Sequence, residues 1–194
     1  RYQSTLITQR KAVNYWRDVG TIDSFWAANM DLTATVPQLD LYDQDWPIWT
    51  YQHTLPPAKF VFDDERRRGM AVDSLVAAGC MISGSSVRRS ILSTGVHVHS
   101  FCSIEDSVVL PGADIGQHCR LRKVVVDEGC RVPNGMTIGW DASADARRFY
   151  RSPSGVVLVT NAMLQSLKVP IDSTRVHHLN VLPASRRQLE VGRL

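Results

Sequence analysis

Seven consecutive residues, Tyr15-Trp16-Arg17-Asp18-Val19-Gly20-Thr21, bring together the side chains of this chain best suited to chemistry. Asp18 offers carboxylate oxygen, the ligand type that magnesium takes when it shares its coordination with phosphate and water. Trp16 offers a flat aromatic face for stacking on a sugar or a base. The same residues also have a purely structural reading. Asp18 can open a helix or form a salt bridge, and Trp16 can be a core aromatic. Composition alone favours the structural reading, and both stay open at this level.

Other reactive residue types are scattered. Cys80, Cys102, Cys119 and Cys130 form no C-x-x-C pair and have no His at zinc-ligand spacing. They are expected as reduced, mostly buried thiols of a cytoplasmic protein. His97, His99 and His118 are candidate bases, expected to face solvent. The adjacent His177 and His178 read as a solvated pair.

Charge and composition exclude several classes. The net charge is +3, from 22 Lys plus Arg against 19 Asp plus Glu. Over a surface of this size that is a weak field, which argues against nucleic-acid binding. With 44% hydrophobic and 21% charged residues, the chain is neither disordered nor collagenous. No apolar run approaches the ~18 residues of a spanning helix, so no membrane partner is expected.

The elements that must position these residues show themselves as a repeat. In blocks of seventeen from Leu75, the first column holds Leu75, Leu92, Val109 and Val126. The seventh column holds Met81, Val98, Ile115 and Val132, and the thirteenth Val87, Ile104, Leu121 and Ile138. All twelve are large and apolar, and the spacing within a block is six, six, then five. Gly95, Gly112 and Gly129 recur just after the first column, where a tight corner needs a permissive backbone. One inward residue per short flat face describes a three-sided prism of strands, the hexapeptide β-helix, in about four coils. Cys102 and Cys119 share a column, in keeping with a structural role.

Flanking segments supply caps. Thr21 is expected to N-cap a helix from Ile22 to Leu32 that presents Ile22, Phe25, Trp26 and Met30 roughly on one face. The prolines at 47, 56 and 57 mark an extended connector, and 63–69 reads as an exposed loop. Ser143 is expected to cap a short helix through Arg147 and Arg148. Gly155 to Val159 reads as a strand, and Thr160 caps a last helix to Lys168. The chain opens Arg1-Tyr2 without Met, which reads as a processed start or as missing upstream sequence.

The strings Tyr15-Trp16-Arg17-Asp18-Val19-Gly20-Thr21 and Phe25-Trp26-Ala27-Ala28-Asn29-Met30-Asp31-Leu32 resemble the C-terminal part of bacterial ADP-glucose pyrophosphorylase (glucose-1-phosphate adenylyltransferase). The resemblance continues through Leu55-Pro56-Pro57-Ala58-Lys59-Phe60, Ser100-Phe101-Cys102 and Cys119-Arg120-Leu121-Arg122. It extends through Asp145-Ala146-Arg147-Arg148-Phe149-Tyr150-Arg151-Ser152 and Val157-Leu158-Val159-Thr160, and covers roughly residues 15 to 168 in order.

The resemblance implies a mainly β fold: a left-handed parallel β-helix preceded by the C-terminal edge of an α/β nucleotidyltransferase domain. On that scheme 1–36 is a remnant of the catalytic domain, 37–74 a connector, 75–142 the coils, 143–168 a cap and 169–194 a loosely ordered tail. The implied reaction joins ATP and glucose 1-phosphate into ADP-glucose and diphosphate, with Mg2+ as cofactor. Asp18 carries over as the metal-assisting catalytic carboxylate and Trp16 as a residue near the sugar phosphate, while Arg147, Arg148 and Arg151 are candidate regulatory residues.

The resemblance also implies a homotetrameric parent that responds to sugar-phosphate effectors. The family's Gly-rich nucleotide-binding loop has no counterpart here, so the chain alone is expected to be inert and to read as a fragment of a longer enzyme. Positions where some family members place basic residues around fructose 1,6-bisphosphate or AMP here hold Asn161, Gln165, Gly112 and Glu128. Weak responses to both effectors follow. Two other readings stand beside this one: a hexapeptide-repeat acyltransferase using one of the three histidines, and a non-catalytic regulatory subunit.

Overall fold

In the computed structural model, residues 15–45, 47–48, 53–64 and 67–167 are described. Residues 1–14 and the tail expected over 169–194 lie outside them.

Short strands stack in parallel as a three-sided solenoid. The first face is built from Lys59–Val61, Met81–Ser83, His97–Val98, Asp114–Ile115 and Arg131–Val132. The second takes Met70–Val72, Ser86–Arg88, Ser103–Glu105, Arg120–Arg122 and Thr137–Ile138. The third takes Leu75–Val76, Ile91–Leu92, Val108–Val109 and Val124–Val126, then continues with Val157–Val159 and Tyr150–Arg151. Val87, Leu92, Val98, Ile104, Val109, Ile115 and Ile138 have no exposed surface, so the inward columns form one continuous core.

Two entries in the repeat columns are corrected by the strand register. Val76 pairs with Leu92, and Ile82 pairs with Val98. Leu75 and Met81 therefore precede the inward positions, and Val76 and Ile82 occupy them. The cause is a shorter corner between Ile82 and Val87, where five positions replace the six of the coils that follow. The coils also begin earlier than Leu75: Phe60 pairs with Ile82, and Ala71 with Val87.

Corners are set by backbone conformation. Gly79, Gly95, Gly112 and Gly129 stack with φ of 76°, 69°, 67° and 60° at the corner between the third and first faces. The corner between the second and third faces uses Asp73, Arg89, Asp106 and Lys123, all at positive φ and alternating in charge. The Arg89 guanidinium grips both carboxylate oxygens of Asp106 at 2.6 and 3.2 Å. Beneath that corner, Ser90 Oγ accepts from the Ser107 N–H, and Ser107 Oγ accepts from the Val124 N–H, both at 3.1 Å.

The third face is apolar on both sides. Its outward residues Ile91, Val108, Val125 and Leu158 form a stripe. Helix α1 (Ile22–Asp31) covers that stripe with Ile22, Phe25, Trp26 and Met30. Thr21 caps α1 as expected, in a capping box with Ser24.

At the far end, helix α2 (Ala142–Arg148) is capped by Asp141 instead of Ser143. The Asp141 carboxylate accepts from the Ser143 and Ala144 N–H groups, both at 2.9 Å. Val157–Val159 then returns parallel to Val124–Val126, with Tyr150–Arg151 antiparallel outside it. Helix α3 (Asn161–Ser166) follows, capped by Thr160, and sets Leu164 against the last coil.

The segment expected as an exposed loop is a hairpin, Asp63–Asp64 against Arg67–Arg68. Arg67 leaves solvent to bond Ser100 Oγ at 2.9 Å and lies 3.4 Å over the Phe62 ring. All four cysteines are free and buried. Among the described residues, no helix is long and apolar enough to cross a membrane.

Candidate functional site

The stretch from Trp16 to Thr21 is the surface approach to α1. Asp18 is exposed, and its Oδ1 accepts the Gly20 N–H at 2.9 Å, which fixes the carboxylate over the turn. A carboxylate has about four lone-pair sites, so this bond leaves room for further ligation. Trp16 is 79% exposed. Arg17 turns back along α1 to bond Gln38 Oε1 at 2.8 Å. Asp18 and Trp16 thus share one exposed strip.

What holds that strip in place is a latch that sequence reasoning missed. Ser154 Oγ donates to Asp23 Oδ1 at 2.6 Å, across 131 positions. Bonding from Ser152 and Ser154 holds the Asp23 carboxyl below its ordinary range. Lys123 Nζ donates to Ser154 O at 2.7 Å and sits 5.0 Å from the Trp26 ring. The first turn of α1 is therefore tied to the C-terminal cap through the side of the solenoid. The signal was present only as a serine pair at a turn, Ser152 and Ser154, with no periodicity to mark it.

The three arginines separate. Arg147 and Arg148 line one shallow concavity with Thr137, Asp141 and Ala144. Arg148 is heavily used within the fold: it bonds Asp145 Oδ1 at 2.9 Å and Thr137 O at 3.0 Å. Asp145 is buried, and its Oδ2 accepts from the Gly139 N–H at 2.8 Å. Arg151 lies apart, with its guanidinium against Gly155. Asn161 is also structural, since its Nδ2 donates to Gly129 O at 3.1 Å.

Among the histidines, His118 is exposed and stacks on Phe101 at 4.8 Å. His97 and His99 are half-buried on the outer side of the first face.

The architecture defines a hexapeptide-repeat β-helix. The family model described as GlmU-like, C-terminal hexapeptide matches residues 56–159, more than half of the chain. The chain belongs to this family.

Its curated relatives narrow the comparison. It is 74% identical over 156 residues to a glucose-1-phosphate adenylyltransferase of Albidiferax ferrireducens, covering 80% of this chain and 37% of that protein. It is 62% identical over 150 residues to the enzyme of that name from Dechloromonas aromatica, covering 77% and 34%. With that of Rhodopseudomonas palustris it shares 59% over 157 residues, covering 81% and 37%. The chain therefore spans about a third of the length of these relatives.

Proposed function

We propose that this chain is the C-terminal region of a glucose-1-phosphate adenylyltransferase, contributing Asp18, a platform for assembly and a seat for regulation. The observation that carries the reading is 74% identity to a protein of that name across 80% of this chain. In the reaction, an oxygen of glucose 1-phosphate attacks the α-phosphorus of ATP. The bond to the bridging oxygen breaks and diphosphate leaves. Negative charge crowds the phosphates throughout, so placement and neutralisation supply most of the catalysis.

Mg2+ supplies that neutralisation when bound. The residues here fit a share of its coordination: Asp18 offers an exposed carboxylate held over a turn by the Gly20 N–H. Among the described residues Asp18 belongs to no group of three or more metal-ligating side chains. One protein carboxylate completed by substrate phosphate and water suits magnesium. The role of α1 is to hold Asp18 at a constant position relative to the coils, through its apolar contact with the third face and the Asp23–Ser154 latch. Trp16 offers its exposed face beside the sugar phosphate.

The Gly-rich nucleotide-binding loop that the resemblance implies has no counterpart in this sequence, so the 194-residue chain by itself forms no ADP-glucose. The parent is a homotetramer, and Arg147 and Arg151 are its effector-facing cations. Asn161 and Gln165 make its response to fructose 1,6-bisphosphate weak, and Gly112 and Glu128 do the same for AMP.

The test is Asp18→Asn in the protein carrying these residues behind a nucleotide-binding domain. The expected result is a fall in kcat of about 100-fold or more, at unchanged melting temperature and subunit mass. Full activity in that variant, or ADP-glucose synthesis by the isolated chain, would overturn the proposal.

A further inference from the structure

The outer side of the first face carries a group of donors that the proposed reaction does not use. His97 and Asp114 are paired across neighbouring strands of successive coils. The pleat puts His99 on the same side as His97, with Val98 turned into the core between them. The two imidazole rings lie 4.4 Å apart, and one ligand atom from each of His97, His99 and Asp114 falls within 4.8 Å of the others. Continuing the register sets Gly116 opposite His99, so no side chain stands between His99 and the Asp114 carboxylate.

The contact inside this group is unusual for an ion pair. His99 Nε2 stands 2.8 Å from Asp114 Oδ1. Yet that oxygen is shielded from solvent and receives no in-line hydrogen bond.

We infer that His97, His99 and Asp114 form a binding site for a borderline divalent cation of the zinc class, bridging two coils on the outer side of the first face. Two imidazoles and one carboxylate suit Zn2+ or Co2+, and are a poor set for magnesium, which takes oxygen. In a tetrahedral sphere with bonds of 2.0–2.2 Å, ligand atoms lie about 3.4 Å apart. Small rotations of the three side chains reach that spacing. His99 and Asp114 keep 37% and 44% of their side-chain surface exposed, so water has access to the fourth position. His99 holds the Asp114 carboxyl below its ordinary range, and Arg131, paired with Asp114 in the next coil, adds to this while lowering the affinity for any cation. The half-exposed ligands make this a surface staple and not a buried structural metal. This site is separate from Asp18 in both position and chemistry.

The experiment uses the purified 194-residue chain and Zn2+ in competition with a chromophoric chelator, followed by Co2+ absorption spectroscopy. The expected result is one equivalent of Zn2+ per chain and visible Co2+ bands of tetrahedral type without a thiolate charge-transfer band. His97→Gln, His99→Gln and Asp114→Asn, measured separately, should each weaken binding by more than the ~10–100-fold that loss of a supporting partner costs. His118→Gln and the double change at His177 and His178 should leave it intact. Each variant is checked for native circular dichroism, and the three outward positions give three independent chances of a folded protein. Absence of stoichiometric binding overturns the proposal. So does binding that survives in a folded ligand variant, or a spectrum with thiolate ligation.

Discussion

Trp26 Nε1 donates a 2.7 Å hydrogen bond to the carbonyl of Asp106, eighty positions further along the chain. Asp106 sits at a corner with φ of 48°, its carboxylate held by Arg89, so the acceptor is fixed by contacts within the solenoid. Trp26→Phe keeps the apolar contact and deletes the donor. The expected cost is about 1 kcal/mol, felt as faster amide exchange across Ile22–Asp31 while the coils keep their protection. Exchange that rises equally in the coils would show that α1 and the solenoid open as one unit.

Gly139 and Gly112 both hold positive φ, yet alanine should behave differently at the two. A Cβ on Gly139 would lie 1.7 Å from Arg122 O, whereas one on Gly112 meets nothing within 4 Å. Gly112→Ala should cost about 1–2 kcal/mol from backbone strain alone. Gly139→Ala adds an overlap with backbone and should exceed about 3 kcal/mol. Urea midpoints for the two variants decide the matter, and similar values would refute the steric account.

Asp145 is 1% exposed and joins the Gly139 N–H to the Arg148 guanidinium. Asp145→Ala strands both donors at once. Arg148 keeps 29% of its side-chain surface, so the loss should be about 2–3 kcal/mol, below the figure for a fully buried pair. Asp145→Asn retains an acceptor and should lose less. The order Ala below Asn below wild type in melting temperature is the outcome to look for.

His97 and His99 should titrate on opposite sides of their ordinary value of 6.5. Burial lowers His97, and the neighbouring charge of His99 adds to it. The Asp114 carboxylate beside Nε2 raises His99, while His99 in turn lowers Asp114 below 3.8. A raised histidine stabilises the fold fully below 6.5 and loses that contribution as pH climbs through its folded value. A lowered carboxyl stabilises above 3.8 and loses its contribution as pH falls through its folded value. The pair therefore helps most between about pH 4 and 6.5, and His97 opposes it at the acid side of 6.5. Proton NMR of the metal-free chain gives both midpoints directly, and coincident midpoints would disprove the assignment.

Burial pushes the Cys80 thiol up and the Cys130 thiol up to about 11. Both sulfurs face the core, with Cys80 Sγ donating to Ser93 O at 3.0 Å. Neither should react with a thiol reagent at neutral pH until the coils open. Labelling that precedes loss of circular dichroism in a urea series would contradict this.

The solenoid was readable because its inward columns repeat at a fixed spacing, as Val87, Ile104, Leu121 and Ile138 do. The first coil misled at Leu75 and Met81, since one missing residue shifts every inward position before it while leaving an apolar neighbour in the expected place. The outward stripe Ile91, Val108, Val125 and Leu158 was equally visible in principle. It marks where α1 docks, because the corresponding outward positions on the first face are His97, Asp114 and Arg131. The Asp141 cap went to the wrong residue because Asp141 and Ser143 are both good caps only two positions apart. The exposure of Trp16, the latch at Asp23 and the grouping of His97, His99 and Asp114 depend on how separate coils stack. No local pattern encodes such relationships.

The backbone at the C-terminal end of the solenoid is closed to further growth. Tyr150–Arg151 runs against Val157–Val159, so the outermost strand of the third face points the wrong way for another parallel coil. On the second face Arg148 bonds the Thr137 carbonyl, and on the first face the Arg131 N–H donates to Asn161 Oδ1. The third face thus ends on a strand of opposite direction to its coils. Copies that associate here must meet through side chains and not through a shared hydrogen-bond ladder, which favours discrete particles over fibres.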